Sequence, residues 1–185
     1  GYGKDPRIVT QLEFEQMLAG SSKQQAGSED PACRLLPAAC NNIVMIQCIG
    51  PGEKFCSRLC CTTALKNALK LKELNPQAQV TIIYRDIRTY GFKERLYTEA
   101  RRAGVTFVRY DFDGKPQVQI NEPISQLANE PNPQCATLAP HVTVAELRHS
   151  HAGVRNSQLE IRVWEPVLGE ELTLYPDLLV LSTPI

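Results

Sequence analysis

Residues 43–74, IVMIQCIGPGEKFCSRLCCTTALKNALKLKEL, narrow the possible folds more than any other part of the chain. Residues 43–49 form a near-continuous apolar run, as expected for a strand covered on both faces. Gly50, Pro51 and Gly52 break it. Leu59, Leu65, Ala68, Leu69 and Leu71 then recur at helical spacing until Pro76 stops the element. A covered strand, a turn and a helix open a strand–helix–strand crossover, which requires a parallel partner strand further along.

The partners follow. Residues 80–84 (VTIIY) read as a second buried strand, and residues 105–110 (VTFVRY) as a third. Between them, residues 92–103 predict a Glu- and Arg-rich helix ended by Gly104 at the C′ position. This is half of a doubly wound parallel sheet, with right-handed crossovers expected. Residues 115–121 then alternate like a half-exposed strand, as do residues 159–165 (LEIRVWE). A shorter strand is expected at 170–175, and the apolar run 178–182 should return to the parallel sheet. Residues 122–157 carry four prolines and uneven periodicity, so they read as an insertion with a strand near 142–147.

At the other end, residues 8–18 (IVTQLEFEQML) predict an extended lead-in and a short helix. Thr10 is its N-cap and Glu13 the capping-box partner three residues on. Residues 19–42 read as a surface loop, in which Cys33 and Cys40 are unpaired thiols. The expected fold is α/β: a Rossmann-like parallel sheet with flanking helices plus a small antiparallel meander. Residues 1–42 form a connecting helix and loop, and residues 43–185 the domain. Both ends look cut, as in a piece of a longer polypeptide.

At 185 residues the chain is large enough to bury a core. Twenty basic residues balance twenty acidic ones, which gives no global pull toward nucleic acid or a membrane surface. No apolar run approaches the roughly 20 residues that span a bilayer, and no secretory signal opens the sequence. A cytoplasmic location is expected. Seven cysteines, odd in number and clustered, argue against a secreted disulfide framework.

Cys48, Cys56, Cys60 and Cys61 all fall in the strand–turn–helix stretch 43–74. Cys56 and Cys60 are four apart, one above the other on a helix face, and Cys61 lies about 100° further round. The three can converge only at a distorted first turn, with Cys48 approaching from the strand end. A helix N-terminus suits thiolates. The spacing is neither a compact iron–sulfur run nor the paired C-x2-C of structural zinc. Three readings stay open on spacing alone: a metal site, small buried thiols, or a redox pair. Nucleotide binding loses, because Cys48 occupies the first glycine's place beside Gly50 and Gly52, and Phe55 stands where a small residue is wanted. Arg85, Asp86 and Arg88 read as strand-end charges. His141, His149 and His151 read as exposed loop residues, Cys135 as a partnerless thiol, and Trp164 as core or interface filling.

The segments QCIG…FCSRLCCTTALKNALKLKELNP, VTIIYRDIRTYG and EARRAGVTFVRYD, with TQLEFEQML and PDLLVLSTP at the ends, resemble the heterodisulfide reductase A subunit family. The resemblance covers most of the chain outside 19–42 and 122–157. It implies a degenerate nucleotide domain of a thioredoxin-reductase-like flavoprotein, with a [4Fe–4S] cluster where the phosphate loop would be. Its ligands, carried over, are Cys48, Cys56, Cys60 and Cys61. The gap between the first two is short for the family. The resemblance further implies electron exchange with an FAD held mainly by a neighbouring domain, in an electron-bifurcating oxidoreductase. Lys66, and more remotely Glu13, are the flavin-side candidates; their ordinary roles are a solvated lysine and a capping residue. The implied partners are the rest of the flavoprotein chain, other reductase or hydrogenase-type subunits and a second copy in a homo-oligomer, with no turnover by this part alone. The reading from another class is a structural or subunit-contact module, zinc-stapled or metal-free.

Overall fold

A computed structural model of the protein describes residues 1–21, 40–49, 56–121 and 158–183. In chain order the elements are β1 (Ile8–Thr10), α1 (Gln11–Ser21), β2 (Asn42–Ile46), α2 (Cys60–Leu74), β3 (Gln79–Tyr84), α3 (Glu94–Arg102), β4 (Thr106–Arg109), β5 (Gln117–Asn121), β6 (Gln158–Glu165), β7 (Glu170–Leu174) and β8 (Leu178–Leu181). A 3-10 turn at Gly91–Lys93 leads into α3. Five strands form a parallel sheet in the order β1-β8-β2-β3-β4, and β5-β6-β7 form an antiparallel meander. This is the expected α/β, Rossmann-like architecture. The last apolar run does return to the parallel sheet, and it inserts between β1 and β2.

Strand alternation divides the core in two. Ile43, Met45, Val80, Ile82, Leu178 and Val180 point to one face, where Phe14 of α1, Leu65 and Leu71 of α2 and Ala100 of α3 cover them. Val44, Ile46, Ile83, Val108 and Leu179 point to the other, against Leu159, Ile161 and Val163 of β6. The result is three layers: helices, parallel sheet, meander. A doubly wound sheet carries helices on both faces; among the described residues they share one. The reason is the direction of travel. The chain moves across the sheet the same way from β1 to β2, β3 and β4, so crossovers of one hand put their helices on one side. The meander then covers the apolar face left over.

Local signals behave as the sequence predicts at both helix ends that carry them. The Glu13 carboxylate accepts from the Thr10 backbone N–H at 2.6 Å, and the Thr10 hydroxyl accepts from the Glu13 N–H at 3.3 Å. Gly104 has φ +81°, the left-handed conformation in which glycine follows a helix end without strain.

Four expectations change. The extended lead-in is an edge strand, β1, hydrogen-bonded along β8. Cys40 does lie outside the regular elements, just before β2, but it is not on the surface: it is buried at 8% exposure and packs with the helical face. The strand β5 is exposed along its whole length, because only β6 flanks it. Trp164 lies on the outer side of β6, about half exposed, so it does not fill this core. The predicted strand near 142–147, with Cys135, His141, His149 and His151, lies outside the described residues, as does Cys33.

Candidate metal centre

The site is built where β2 ends. Gln47 extends the β2–β3 ladder by one residue, its N–H donating to the Ile83 carbonyl at 2.8 Å. Cys48 then turns the chain away with φ +61°. An L side chain in that conformation costs about 1–2 kcal/mol, so something must hold the backbone there. Tyr110, buried after β4, donates its hydroxyl to the Gln47 carbonyl at 2.8 Å and lies 3.5 Å from that of Cys48. Gly50, Gly52 and Phe55 are outside the described residues.

Cys56 and Arg58, the latter again at φ +61°, precede α2, which begins at Cys60. The helix expectation is corrected here: Cys56 precedes the helix and does not stack above Cys60. The N-cap position holds Leu59, which has no side-chain acceptor for the free amides of the first turn.

Cys60 and Cys61 are in contact and behave oppositely. The Cys60 thiol is pulled down to about 6, first by a hydrogen bond from the Cys61 thiol, then by Ser57 and by the backbone N–H groups of Cys61 and Cys60; burial opposes this. The Ser57 hydroxyl lies 3.8 Å from its sulfur. Cys61 is pushed far up, by the hydrogen bond to Cys60, by burial, and by the nearby Cys60 and Cys48 sulfurs. The Cys61 sulfur also lies 3.6 Å from the Asp86 carbonyl. The Arg88 guanidinium, near Cys56, pairs with Asp86 at 2.7 Å.

Among the described residues, no three His, Cys, Asp or Glu side chains are gathered closely enough to hold a metal ion. Of the four predicted ligands, Cys48 follows β2, Cys56 precedes α2, and Cys60 and Cys61 open α2; no three of them converge on one point. Lys66 is exposed on α2. Glu13 is engaged in the capping box and accepts from the Tyr2 hydroxyl at 3.1 Å. Arg85 stacks over Phe112, with its guanidinium 5.5 Å from the ring centre.

The sequence reading passed over Gln47, Thr62 and Ser182. Among the described residues, the buried side-chain polar atoms without a hydrogen-bond partner are both amide atoms of Gln47 and the hydroxyls of Thr62 and Ser182. All lie at the carboxyl edge of the parallel sheet or in the first turn of α2. Native proteins leave few such groups, and a cluster of them marks a place where something else supplies the partner. The signal was a lone glutamine inside an otherwise apolar run. Thiols at a helix N-terminus and orphaned donors are the chemical kinds of group that a sulfur-ligated, net-negative metal group uses, and among the described residues no three ligating side chains converge.

Fold and site therefore define a Rossmann-like α/β domain in which cysteines stand where a nucleotide-binding relative carries its glycine turn. No protein-family model matches the chain. The A subunit of the ferredoxin:CoB-CoM heterodisulfide reductase of Methanosarcina acetivorans is 33% identical over 156 residues, 69% of this chain and 19% of the relative. The iron-sulfur A subunit of the CoB–CoM heterodisulfide reductase of Methanocaldococcus jannaschii is 29% identical over 189 aligned residues, 98% of this chain and 23% of the relative. The A subunit of the H(2)/formate:CoB-CoM heterodisulfide,ferredoxin reductase of Methanococcus maripaludis is 30% identical over the same shares. The chain belongs to the heterodisulfide reductase A subunit family. It spans about a fifth of the length of the curated relatives it matches. Those relatives are oxidoreductase subunits by name. Among the described residues, no helix is long and apolar enough to cross a membrane.

Proposed function

We propose that this domain carries electrons through a [4Fe–4S] cluster held by Cys48, Cys56, Cys60 and Cys61, to or from an FAD bound mainly by another part of the protein. The observation that carries the reading is placement: Cys60 and Cys61 open α2, Cys48 follows β2, and the unpartnered polar groups of Gln47, Thr62 and Ser182 lie at the sheet's carboxyl edge or in the first turn of α2. When bound, the cluster supplies one-electron chemistry; the chain's own residues provide its setting. The free amides of the first turn of α2 favour negative charge there. Tyr110 fixes the backbone that presents Cys48. Arg88 places a cation beside Cys56. Cys48 and Cys56, which flank residues 50–55 in sequence, would complete the ligand set with Cys60 and Cys61.

Lys66, exposed on α2, is the residue of this domain we assign to the flavin. A cation near the flavin's reduced edge stabilises its anionic form. Electron bifurcation, the other reductase or hydrogenase-type subunits, and a homo-oligomeric state belong to the same proposal.

The test is anaerobic purification, reconstitution with iron and sulfide, and measurement of iron, visible absorption and EPR after reduction. About four irons per chain and a reduced-cluster EPR signal are expected. One firmly bound zinc, or no metal after reconstitution, would return the domain to a structural or subunit-contact role. The absence of three gathered metal-ligating side chains among the described residues is the observation favouring that second reading.

A further inference from the structure

Gln47 and Ser182 sit side by side without bonding to one another. The β2–β8 register pairs Ile46 with Leu181, and the Ser182 N–H donates to the Ile46 carbonyl at 2.9 Å, which carries the ladder on to the next pair. Neighbouring strands are about 4.8 Å apart, so the two residues are within easy reach of each other. Gln47 continues the face of Ile43 and Met45, and Ser182 that of Leu178 and Val180; this is the face that α2 covers. Gln47 is 0% exposed and Ser182 1% exposed, yet the Gln47 amide and the Ser182 hydroxyl have no hydrogen-bond partner. The helix that covers this face, α2, buries Cys61 and Ala64 near its start.

Two adjacent donors withheld from water and from each other are poor core residues. A Leu and an Ala there would fill the same space without stranded polar atoms. Their place at the carboxyl ends of parallel strands is where open α/β sheets bind ligands.

We infer that Gln47 and Ser182 donate hydrogen bonds to sulfur atoms of the cluster and hold its reduction potential above that of the same site without them. The inference rests on the cluster reading. Reduction adds negative charge to the sulfurs, so a donor aimed at them stabilises the reduced form more than the oxidised one. Neither residue is a ligand; both act by positioning hydrogen atoms.

The experiment is an EPR-monitored redox titration of the reconstituted protein and of its Gln47→Leu and Ser182→Ala variants. Loss of the amide donor should lower the reduced-to-oxidised ratio about tenfold at fixed potential, a downward shift of ~59 mV for one electron. Ser182→Ala should shift it the same way by less. Selective 15N labelling of glutamine side chains should alter a nitrogen coupling in pulsed EPR of the wild-type cluster, a readout that needs no variant to fold. In the metal-free protein, Gln47→Leu should raise the melting temperature, because an unpartnered amide is replaced by an apolar side chain. A purely structural Gln47 would give the reverse. If the wild type binds no cluster, this inference falls together with the proposed function. If it binds one but the potentials and the nitrogen coupling do not respond, this inference alone falls.

Discussion

The opposed behaviour of Cys60 and Cys61 can be tested in the metal-free protein by replacing Cys61. At pH 7 a thiol that titrates at about 6 has about ten thiolates for every thiol, whereas one at the ordinary 9.0 has about one per hundred. Per thiolate the rate of attack on a disulfide falls with basicity, by a Brønsted slope of about 0.4–0.5, which over this interval costs about 20- to 30-fold. The two effects leave Cys60 only about three- to fivefold faster than an ordinary exposed thiol at pH 7. Because Cys60 is half-exposed, access lowers that factor further. The pH midpoint is therefore the decisive quantity, not the rate. A small aromatic disulfide, with each modified cysteine mapped by peptide mass spectrometry from pH 5 to 10, should give Cys60 a midpoint at about 6. Cys61→Ala removes the largest cause of the lowering and should move the midpoint upward; Cys61→Ser keeps a donor and should retain most of the effect.

The same pair fixes a pH dependence of stability. Cys60 has its folded-state value below the unfolded one, so its thiolate stabilises the fold fully above the unfolded value, and this is lost as pH falls through about 6. Cys61 is shifted up, so above the ordinary thiol range the unfolded chain sheds a proton the folded one keeps, and stability falls. Chemical denaturation of the metal-free protein should show stability rising from pH 6 toward the ordinary thiol range and declining beyond it. The two steps belong to the pair and not to either residue alone. A wild-type midpoint near 9, or an unmoved midpoint in Cys61→Ala, would refute the reasoning.

Three further outcomes are expected. Thr10→Ala removes the cap of α1 and should cost about 1 kcal/mol in thermal or urea unfolding, with cluster retention unchanged. Tyr110→Phe removes the buried hydroxyl that holds the Gln47 carbonyl; it should cost about 1–2 kcal/mol and, since Cys48 is the next residue, should also reduce iron retention after gel filtration. Lys66→Met in the full-length protein should lower the flavin potential and leave iron content alone; an unchanged flavin potential would make Lys66 a solvated helix residue.

The sequence by itself determined what is local. Hydrophobic period separates strands from helices because each residue's face follows from the backbone's own geometry. Hence β3, β6 and β8 fall within a residue or two of where the apolar runs place them. The Thr10–Glu13 cap and Gly104 are local too, fixed by amides within one turn. The four cysteines were legible as a group because their chemistry is in their side chains. What only the tertiary structure decided is long-range: that β8 lies between β1 and β2, that the helices share one face, that Cys40 is core and Trp164 is not. The same holds within the site. The pull on Cys60 depends on which amides and thiols surround it, and the left-handed turn at Cys48 on a tyrosine brought in after β4. Gln47 and Ser182 are the sharpest case, since they become neighbours only through strand pairing across more than a hundred residues. Their missing partners can be recognised only once the layers above and below have closed over them.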